Sequence, residues 1–597
     1  MVMNRKCHFL KGNKTTETIH HAIWFDTETN QERIQGGGVK HILDFGFAAY
    51  SRRKSNGRWT KPEWFKFHEI TEFWEFVDSH VKNKTKLYMF CHNTNFDLPV
   101  LDVFGELPKL GYELKFAVIE GPPTILKWQK PGGAITILDT LNWWRVPLKV
   151  LGVALNFPKL DMPDKDADIC LWDTYCKKDT EIIIKAVQDW SDFILFNDYG
   201  GFAYTLAGQA YGLYRHRFMP HKIAIHDNEK ACELEREAYK GGRNECFRTG
   251  LLPDKWTLYD INSMYPYVMS TRLFPTKLKY FSKRKNLDDL IILLQDYAVI
   301  ARVKLNTLTP AYCIKQNDKL IFPVGEFTAT LCTPELKYAI ENNDIVSVEA
   351  VTVYEQAEIF KDYVDEVYKL KTKSKILGET LNAWKYKILL NSLYGKFGQK
   401  GLVFINQFHN IDIPSRAWLE FNVEEGTTER FRSLAGLVQK LDCQIESRDS
   451  FPGIAAHVTA EARMLLWSII NEVGPGNVAY CDTDAILISP EGKKRLKYPV
   501  HATDLGALSL DGEYDYVRIF ACKDYEMGDK KRTKGVKKTA EWIGKNTIKQ
   551  DKWSSLKGLL RLKALNAPTT VPLIKHLSRI YEKGLRGPCG SIFPFWF

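Results

Sequence analysis

Two carboxylates set between apolar runs constrain this chain more than any other feature of it. The step is Tyr480-Cys481-Asp482-Thr483-Asp484, flanked by Gly476-Asn477-Val478-Ala479 and Ala485-Ile486-Leu487-Ile488. Apolar residues on both sides of a short acidic interruption read as two strands meeting at a tight turn. Asp482 and Asp484 then stand at the exposed tip of a buried hairpin, where a divalent cation would neutralise them. Acidic turns are also common as plain solvated surface, so the step takes its meaning from its company.

Two segments upstream supply that company. Tyr259-Asp260-Ile261-Asn262-Ser263-Met264-Tyr265-Pro266 carries one acid after an apolar run, and Lys387-Ile388-Leu389-Leu390-Asn391-Ser392-Leu393-Tyr394-Gly395 has helical spacing. Lys387, Asn391 and Tyr394 fall at i, i+4 and i+7, one stripe, while Ile388, Leu389, Leu393 and Phe397 bury elsewhere on the helix. A lysine with an aromatic farther along the stripe suits a nucleotide, with charge for phosphates at one end and stacking at the other. Lys375 and Lys371 are candidates for a second phosphate contact, or are solvated. In this order the segments resemble motifs A, B and C of family B DNA polymerases (DxxSLYP, KxxxNSxYG, YxDTD), with Met264 in place of the usual Leu. The resemblance implies Asp260 and Asp482 as direct metal ligands and Asp484 as a supporting acid. It implies Tyr265 as the steric gate against a ribose 2′-OH, Lys387, Asn391 and Tyr394 at the nucleotide, and Ser263 and Gly395 at DNA.

A second acidic set lies in the first third. Ala22-Ile23-Trp24-Phe25 reads as a buried strand running into Asp26-Thr27-Glu28-Thr29, and residues two apart on a strand share a face, so Asp26 and Glu28 project together. Asn93-Thr94-Asn95-Phe96-Asp97 follows an apolar run, and Tyr175 and Asp179 stand i, i+4 on a helical pattern. Four converging carboxylates repel unless metals bind between them. The triplet resembles the ExoI, ExoII and ExoIII motifs of 3′–5′ proofreading exonucleases. That likeness implies metal ligation by Asp26, Glu28, Asp97 and Asp179, a water oriented by Tyr175, and a frayed 3′ end gripped by Thr29, Asn93 and Phe96. It implies two Mg²⁺ or Mn²⁺ ions in each active site.

Shorter matches narrow the family. Thr140-Leu141 and Lys159 resemble single-strand and terminal-protein contacts of the protein-primed branch. Tyr239-Lys240-Gly241-Gly242 resembles YxGG, with Tyr239, Gly241 and Gly242 at the template. Thr459 and Arg463 match Tx2AR, and Lys523 and Tyr525 match KxY at the primer strand. The basic run from Lys530 to Lys538 is either a thumb surface or a solvated loop.

The chain has 597 residues, too many for one core, and a net charge of +11 that fits a nucleic-acid partner or plain solubility. Twelve cysteines without a CxxC pair fit free thiols in a reducing compartment. No apolar run approaches a membrane span and none suits a signal peptide, so an intracellular protein without a membrane partner is expected. The stretches after motifs A and B are long for simple connections and suggest folded inserts.

The expected fold is α+β and multidomain. An RNase H-like exonuclease occupies 1–190, followed by palm (191–270), a TPR1-like insert (271–360), fingers (361–400), a TPR2-like insert and connection (401–455), palm again (456–528) and thumb (529–597). The expected function is protein-primed, strand-displacing, template-directed DNA synthesis with proofreading for a virus or linear plasmid. The expected partners are primer-template DNA, dNTPs and a terminal protein, with the polymerase a monomer. A conventional or primer-independent polymerase and a catalytically silent DNA-binding relative are the alternatives.

Overall fold

A computed structural model of the chain describes residues 6–83, 85–401, 404–424, 426–441 and 446–597. Its N-terminal part is built on a ten-stranded sheet. The strand His21–Arg33 pairs antiparallel with Val39–Arg52 and parallel with Lys86–Cys91, which pairs parallel with Gly133–Asp139. The central runs Ala22 to Phe25 and Leu87 to Cys91 are buried, as parallel strands covered on both faces require. The long helix Ile169–Phe196 buries Ile182, Ile183, Val187 and Trp190 on one face and packs across these strands. It passes the expected boundary at residue 190 without interruption.

The second sheet has five antiparallel strands. Trp256–Ile261 lies between Ala485–Ile488 and Leu508–Tyr514, and the hairpin Val478–Asp482/Ala485–Ile488 continues to Asn244–Cys246. The buried helix Pro452–Val473 packs against the helix Met264–Thr271 that follows the central strand. The helices Lys361–Ile376 and Thr380–Ser392 form an antiparallel pair above it.

Both long connections are folded. The first supplies Phe274–Lys285, Ala298–Thr307, Gly325–Cys332 and Ile345–Ala357 to a six-stranded sheet that also takes in His8–Phe9 and Ala224–Ile225. The second forms a four-stranded antiparallel sheet from Phe404–His409, Leu437–Leu441, Thr427–Leu434 and Arg416–Asn422. That sheet rests on the N-terminal unit: Asn406 Nδ2 donates to Lys115 O at 2.9 Å, and Arg432 Nη2 donates to Ala117 O at 3.2 Å. Leu434 and Leu437 join the core cluster of that unit.

The C-terminal segment returns to the N-terminal sheet. The strands Thr547–Trp553 and Thr569–His576 form a hairpin that extends it through the pairs Val39↔Thr570 and Lys40↔Thr569. The helix Leu556–Leu562 buries Leu556, Leu559 and Leu560 in the same core.

Candidate active sites

The first site is a cleft of about 780 Å³ lined by Asp26, Glu28, Asp97, Lys159, Tyr175 and Asp179. Asp26 and Glu28 project from one face of His21–Arg33, and the Sγ of Cys176 joins them, with ligand atoms of the three within 4.8 Å of one another. Burial pushes the Asp26 carboxyl up to about 6, against the pull of Lys159. Burial, aided by the Asp26 charge, pushes Glu28 to about 8. Asp97, from the helix Thr94–Val100, is buried and accepts from Thr27 Oγ1 at 2.8 Å. Its carboxyl is raised by burial and by Asp26. Asp179 pairs with Lys159 through one oxygen, while its buried Oδ1 has no hydrogen-bond partner among the described residues. The Lys159 ammonium also lies 4.3 Å from the centre of the Tyr175 ring.

All four acids therefore line one cleft, and among the described residues Asp26 and Glu28 with Cys176 are the group whose ligand atoms lie close enough to hold one ion together. Cys176 was not legible as a donor. Its only sequence signal is its place beside Tyr175 on the helix. Phe96, Asn93, Thr29 and Lys159 also line the cleft. Thr140 and Leu141 do not. Thr140 is fully buried, with its hydroxyl at 2.8 Å from His92 Nδ1 and 3.2 Å from Cys91 O. The Leu141 amide donates to Asp139 Oδ1 at 2.9 Å. A buried Thr140 cannot contact a strand, so this pair shapes the loop instead. Buried Asp139 also accepts from the Asn93 and Thr94 amides, at 3.0 and 2.9 Å.

The three acids raised here, Asp26, Glu28 and Asp97, each favour the fold when protonated. A carboxyl whose folded pKa lies above its unfolded value adds stability at low pH that is lost as pH rises through the folded pKa. For Glu28 that loss runs from the ordinary carboxylate range to about pH 8. Metal-free wild type should thus lose melting temperature relative to Glu28→Gln as pH rises from 5 to 8.5. Added Mn²⁺ should restore more to wild type at pH 8.5 than at pH 5. Calorimetric melts across that range check both; parallel wild-type and variant curves would contradict the buried charge.

The second site lies at the hairpin tip in the five-stranded sheet. Asp260 pairs in register with Ala485, and the Ile261 amide donates to Asp484 O at 2.8 Å, which brings the two acid-bearing segments together. Burial and then the Asp484 charge push Asp260 up to about 7, with Lys387 opposing. Asp484 is raised as well, by burial and by Asp482, with Lys387 and Lys523 opposing. Asp482 is engaged elsewhere: Asn244 Nδ2 donates to it at 2.9 Å and Lys523 Nζ lies at 3.3 Å. The acids whose charge Asp260 senses are therefore Asp484 and Asp511, so Asp484 rather than Asp482 is the hairpin acid it faces.

Thr483, between the two hairpin acids, holds a positive φ of 68° while its amide donates to Arg243 O at 2.6 Å. Behind that carbonyl the Arg243 guanidinium is buried between Phe322 and Trp467, 4.0 and 4.6 Å from their ring centres. Gly242 sits so close beneath the tip that an added Cβ would lie 2.8 Å from Thr483 Cγ2 and 2.9 Å from the Tyr265 hydroxyl. Gly241 has open space instead. Gly242 is thus fixed by the hairpin and Tyr265. The Tyr239 ring packs over Gly398, where a Cβ would come within 2.4 Å of it.

Tyr265 stacks on Tyr394 at 4.8 Å, and Lys387 and Asn391 are exposed on the stripe that ends in Tyr394. Lys375 is exposed, while half-buried Lys371 donates to Ser263 Oγ at 3.1 Å. Burial and the charges of Lys387 and Lys375 hold the Lys371 ammonium down at about 8, so the three lysines gather over the motif A loop. Gly395 is exposed beside them. Tyr525 lies 5.7 Å from Tyr480 and lines a basic cleft of about 920 Å³ with Lys530, Lys531, Arg532, Lys537 and Lys538.

Thr459 and Arg463 are buried at 2% exposure each, so neither reaches a template. Arg463 pairs with Glu335 at 2.9 Å and donates to Lys240 O and Gly241 O at 3.1 and 3.0 Å. It positions the backbone before Gly242 from within the core, which corrects the expected DNA contact.

With this geometry in place, residues 163–410 match the family described as DNA polymerase type B, organellar and viral. Over that stretch the chain is similar to type B DNA polymerases. The chain is 23% identical over 306 residues to the DNA-directed DNA polymerase of Enterobacteria phage PRD1, covering 49% of this chain and 50% of that one. It is 26% identical over 424 residues to a DNA polymerase of Kluyveromyces lactis, covering 64% and 41%. The chain spans only 34%, 50% and 41% of the first three such relatives. The fold is that of Phi29 DNA polymerase: its complex with primer-template DNA and incoming nucleotide aligns with a TM-score of 0.64 at 15% identity, over 95% of this chain and 100% of that one. The fold is accordingly mixed α/β and multidomain.

Proposed function

We propose that this chain is a DNA-directed DNA polymerase with a 3′–5′ proofreading exonuclease. The observation that carries the proposal is Asp260 facing Asp484 at a hairpin tip, beneath Lys371, Lys375 and Lys387. Acids flanked by cations fit a nucleoside triphosphate: the lysines take its phosphates, and the stacked Tyr265–Tyr394 pair takes the sugar and base. The residues fit a divalent cofactor, since Asp260 and Asp484 are half-buried acids with raised carboxyls that a cation would relieve. Two Mg²⁺ or Mn²⁺ ions held there would stabilise the attacking and leaving oxygens of phosphoryl transfer. Asp482, held by Asn244 and Lys523, orients the tip.

The N-terminal cleft is proposed to remove a mispaired 3′ end with a separate acid set. Asp26→Ala with Glu28→Ala should lower single-strand degradation by about a hundredfold or more and leave extension intact. Unchanged digestion of a labelled single strand overturns the assignment. Tyr265→Val should relax sugar choice, because removing the ring opens room for a 2′-OH. The ratio of dNTP to rNTP incorporation efficiency reads this, and an unchanged ratio places the gate elsewhere.

Protein priming is the proposed mode of initiation, with a terminal protein beside the two inserts, a monomeric polymerase, and a viral or linear-plasmid template in a reducing intracellular compartment. Likeness to the polymerase of a phage and to the Phi29 fold supports it. A second reading, primer-independent synthesis, has its own support: the chain is 27% identical over 312 residues to a primer-independent DNA polymerase of Escherichia coli. Synthesis on an unprimed single strand without added protein decides between them.

A further inference from the structure

An aromatic ring from the far end of the chain stands in the mouth of the N-terminal acidic cleft. Trp553 closes the strand Thr547–Trp553 and lines the cavity together with Asp26, Glu28 and Phe96, more than 350 residues from any of them in sequence. Its ring stacks on His41 at 5.1 Å and 22°, and meets the edge of Phe96 at 5.6 Å. It remains 49% exposed. A ring stacked on one neighbour and still half exposed leaves surface on which a further flat group could stack.

The surroundings hold this ring in place. Thr570, from the partner strand of the hairpin, meets His41 Nε2 at 2.9 Å, and His41 Nδ1 meets Thr29 Oγ1 at 3.3 Å. Thr29 follows Glu28 directly on the acid-bearing strand. Beyond Trp553, the Leu556 amide donates to Asn95 Oδ1 at 3.0 Å, on the helix Thr94–Val100 that carries Phe96 and Asp97. Lys557 pairs with Glu120 at 2.7 Å. The hairpin is therefore tied to both acid-bearing segments, and Trp553 is fixed relative to the carboxylates.

We propose that Trp553 is the stacking platform for the 3′-terminal base of a single DNA strand entering this cleft. The proposal rests on the exonuclease reading of the acids and adds to it a residue from the C-terminal hairpin. Every base presents a π-face, so an aromatic platform grips a frayed end regardless of sequence, as proofreading requires. The bland alternative is that Trp553 only packs the hairpin against His41.

The test measures binding of a 5′-labelled single strand to the full chain without divalent ion, by fluorescence anisotropy. Each strand is prepared with a normal 3′-terminal nucleotide and with an abasic one. Wild type should bind the normal end about tenfold more tightly, or ~1.4 kcal/mol. Trp553→Ala should bind both ends equally and weakly, and Trp553→Phe should restore most of the difference. Trp553→Leu keeps apolar packing without a π-face and should behave as Trp553→Ala, which separates stacking from folding. A wild-type ratio of normal to abasic affinity in Trp553→Leu overturns the proposal. Adding Mg²⁺ afterwards separates the two ideas: a ratio that depends on Trp553 without degradation leaves the platform standing and removes the exonuclease.

Discussion

Asp484→Asn is expected to lower primer extension by about a thousandfold, and Asp260→Asn by as much, because each removes one carboxylate from the facing pair. Asp482→Asn should cost far less, about tenfold. Its side chain accepts from Asn244 and pairs with Lys523, so its loss loosens the hairpin tip without emptying the space opposite Asp260. The motif resemblance makes Asp482 the direct ligand and Asp484 the supporting acid, the reverse of this order. Their different partners are what make the prediction unequal. Single-turnover extension with Mg²⁺ measures all three variants. Equal losses in Asp482→Asn and Asp484→Asn would contradict the assignment, and a greater loss in Asp482→Asn would reverse it.

Arg463→Ala should destabilise the chain by about 3–5 kcal/mol, because it leaves Glu335 charged and buried without its partner. The two side chains are exposed by only 2% and 1%. Glu335 also accepts from the Cys332 amide at 3.0 Å at the start of the helix Thr333–Glu341, so the damage reaches the first insert. Arg463 further holds Lys240 O and Gly241 O, and its removal frees the backbone beneath Tyr265. Urea denaturation followed by tryptophan fluorescence should show a lower midpoint. A normally stable Arg463→Ala with weakened template affinity alone would instead restore the DNA contact expected from the Tx2AR pattern.

Much of both sites was legible because acids on strands are forced to one face by the two-residue period, and because lysine, asparagine and tyrosine recur on one helical stripe. Asp26 with Glu28, and Lys387 with Asn391, follow from those periods alone. What the pattern could not carry was burial. Thr140, Thr459 and Arg463 are polar residues in polar motifs, yet each is satisfied by neighbours inside the core rather than by a ligand. Nor could it carry long-range pairing. The hairpin Thr547–Trp553/Thr569–His576 joins the N-terminal sheet through two register pairs, and nothing local in either strand announces Val39 and Lys40 as the partner. Trp553 and Cys176 became visible at the first cleft only when those distant or adjacent elements closed around it. The hairpin acids show the same limit: spacing put both at the tip, and side-chain partners distinguished them.

The most direct test of the central claim is extension of a labelled primer on a single-stranded circle, with Mg²⁺, the four dNTPs and no accessory protein. The account predicts template-dependent lengthening of the primer by wild type, shortening of the same primer when dNTPs are withheld, and no lengthening by Asp260→Asn or Asp484→Asn while shortening persists. A wild-type chain that leaves the primer unextended, or an Asp484→Asn chain that extends it normally, would contradict the claim.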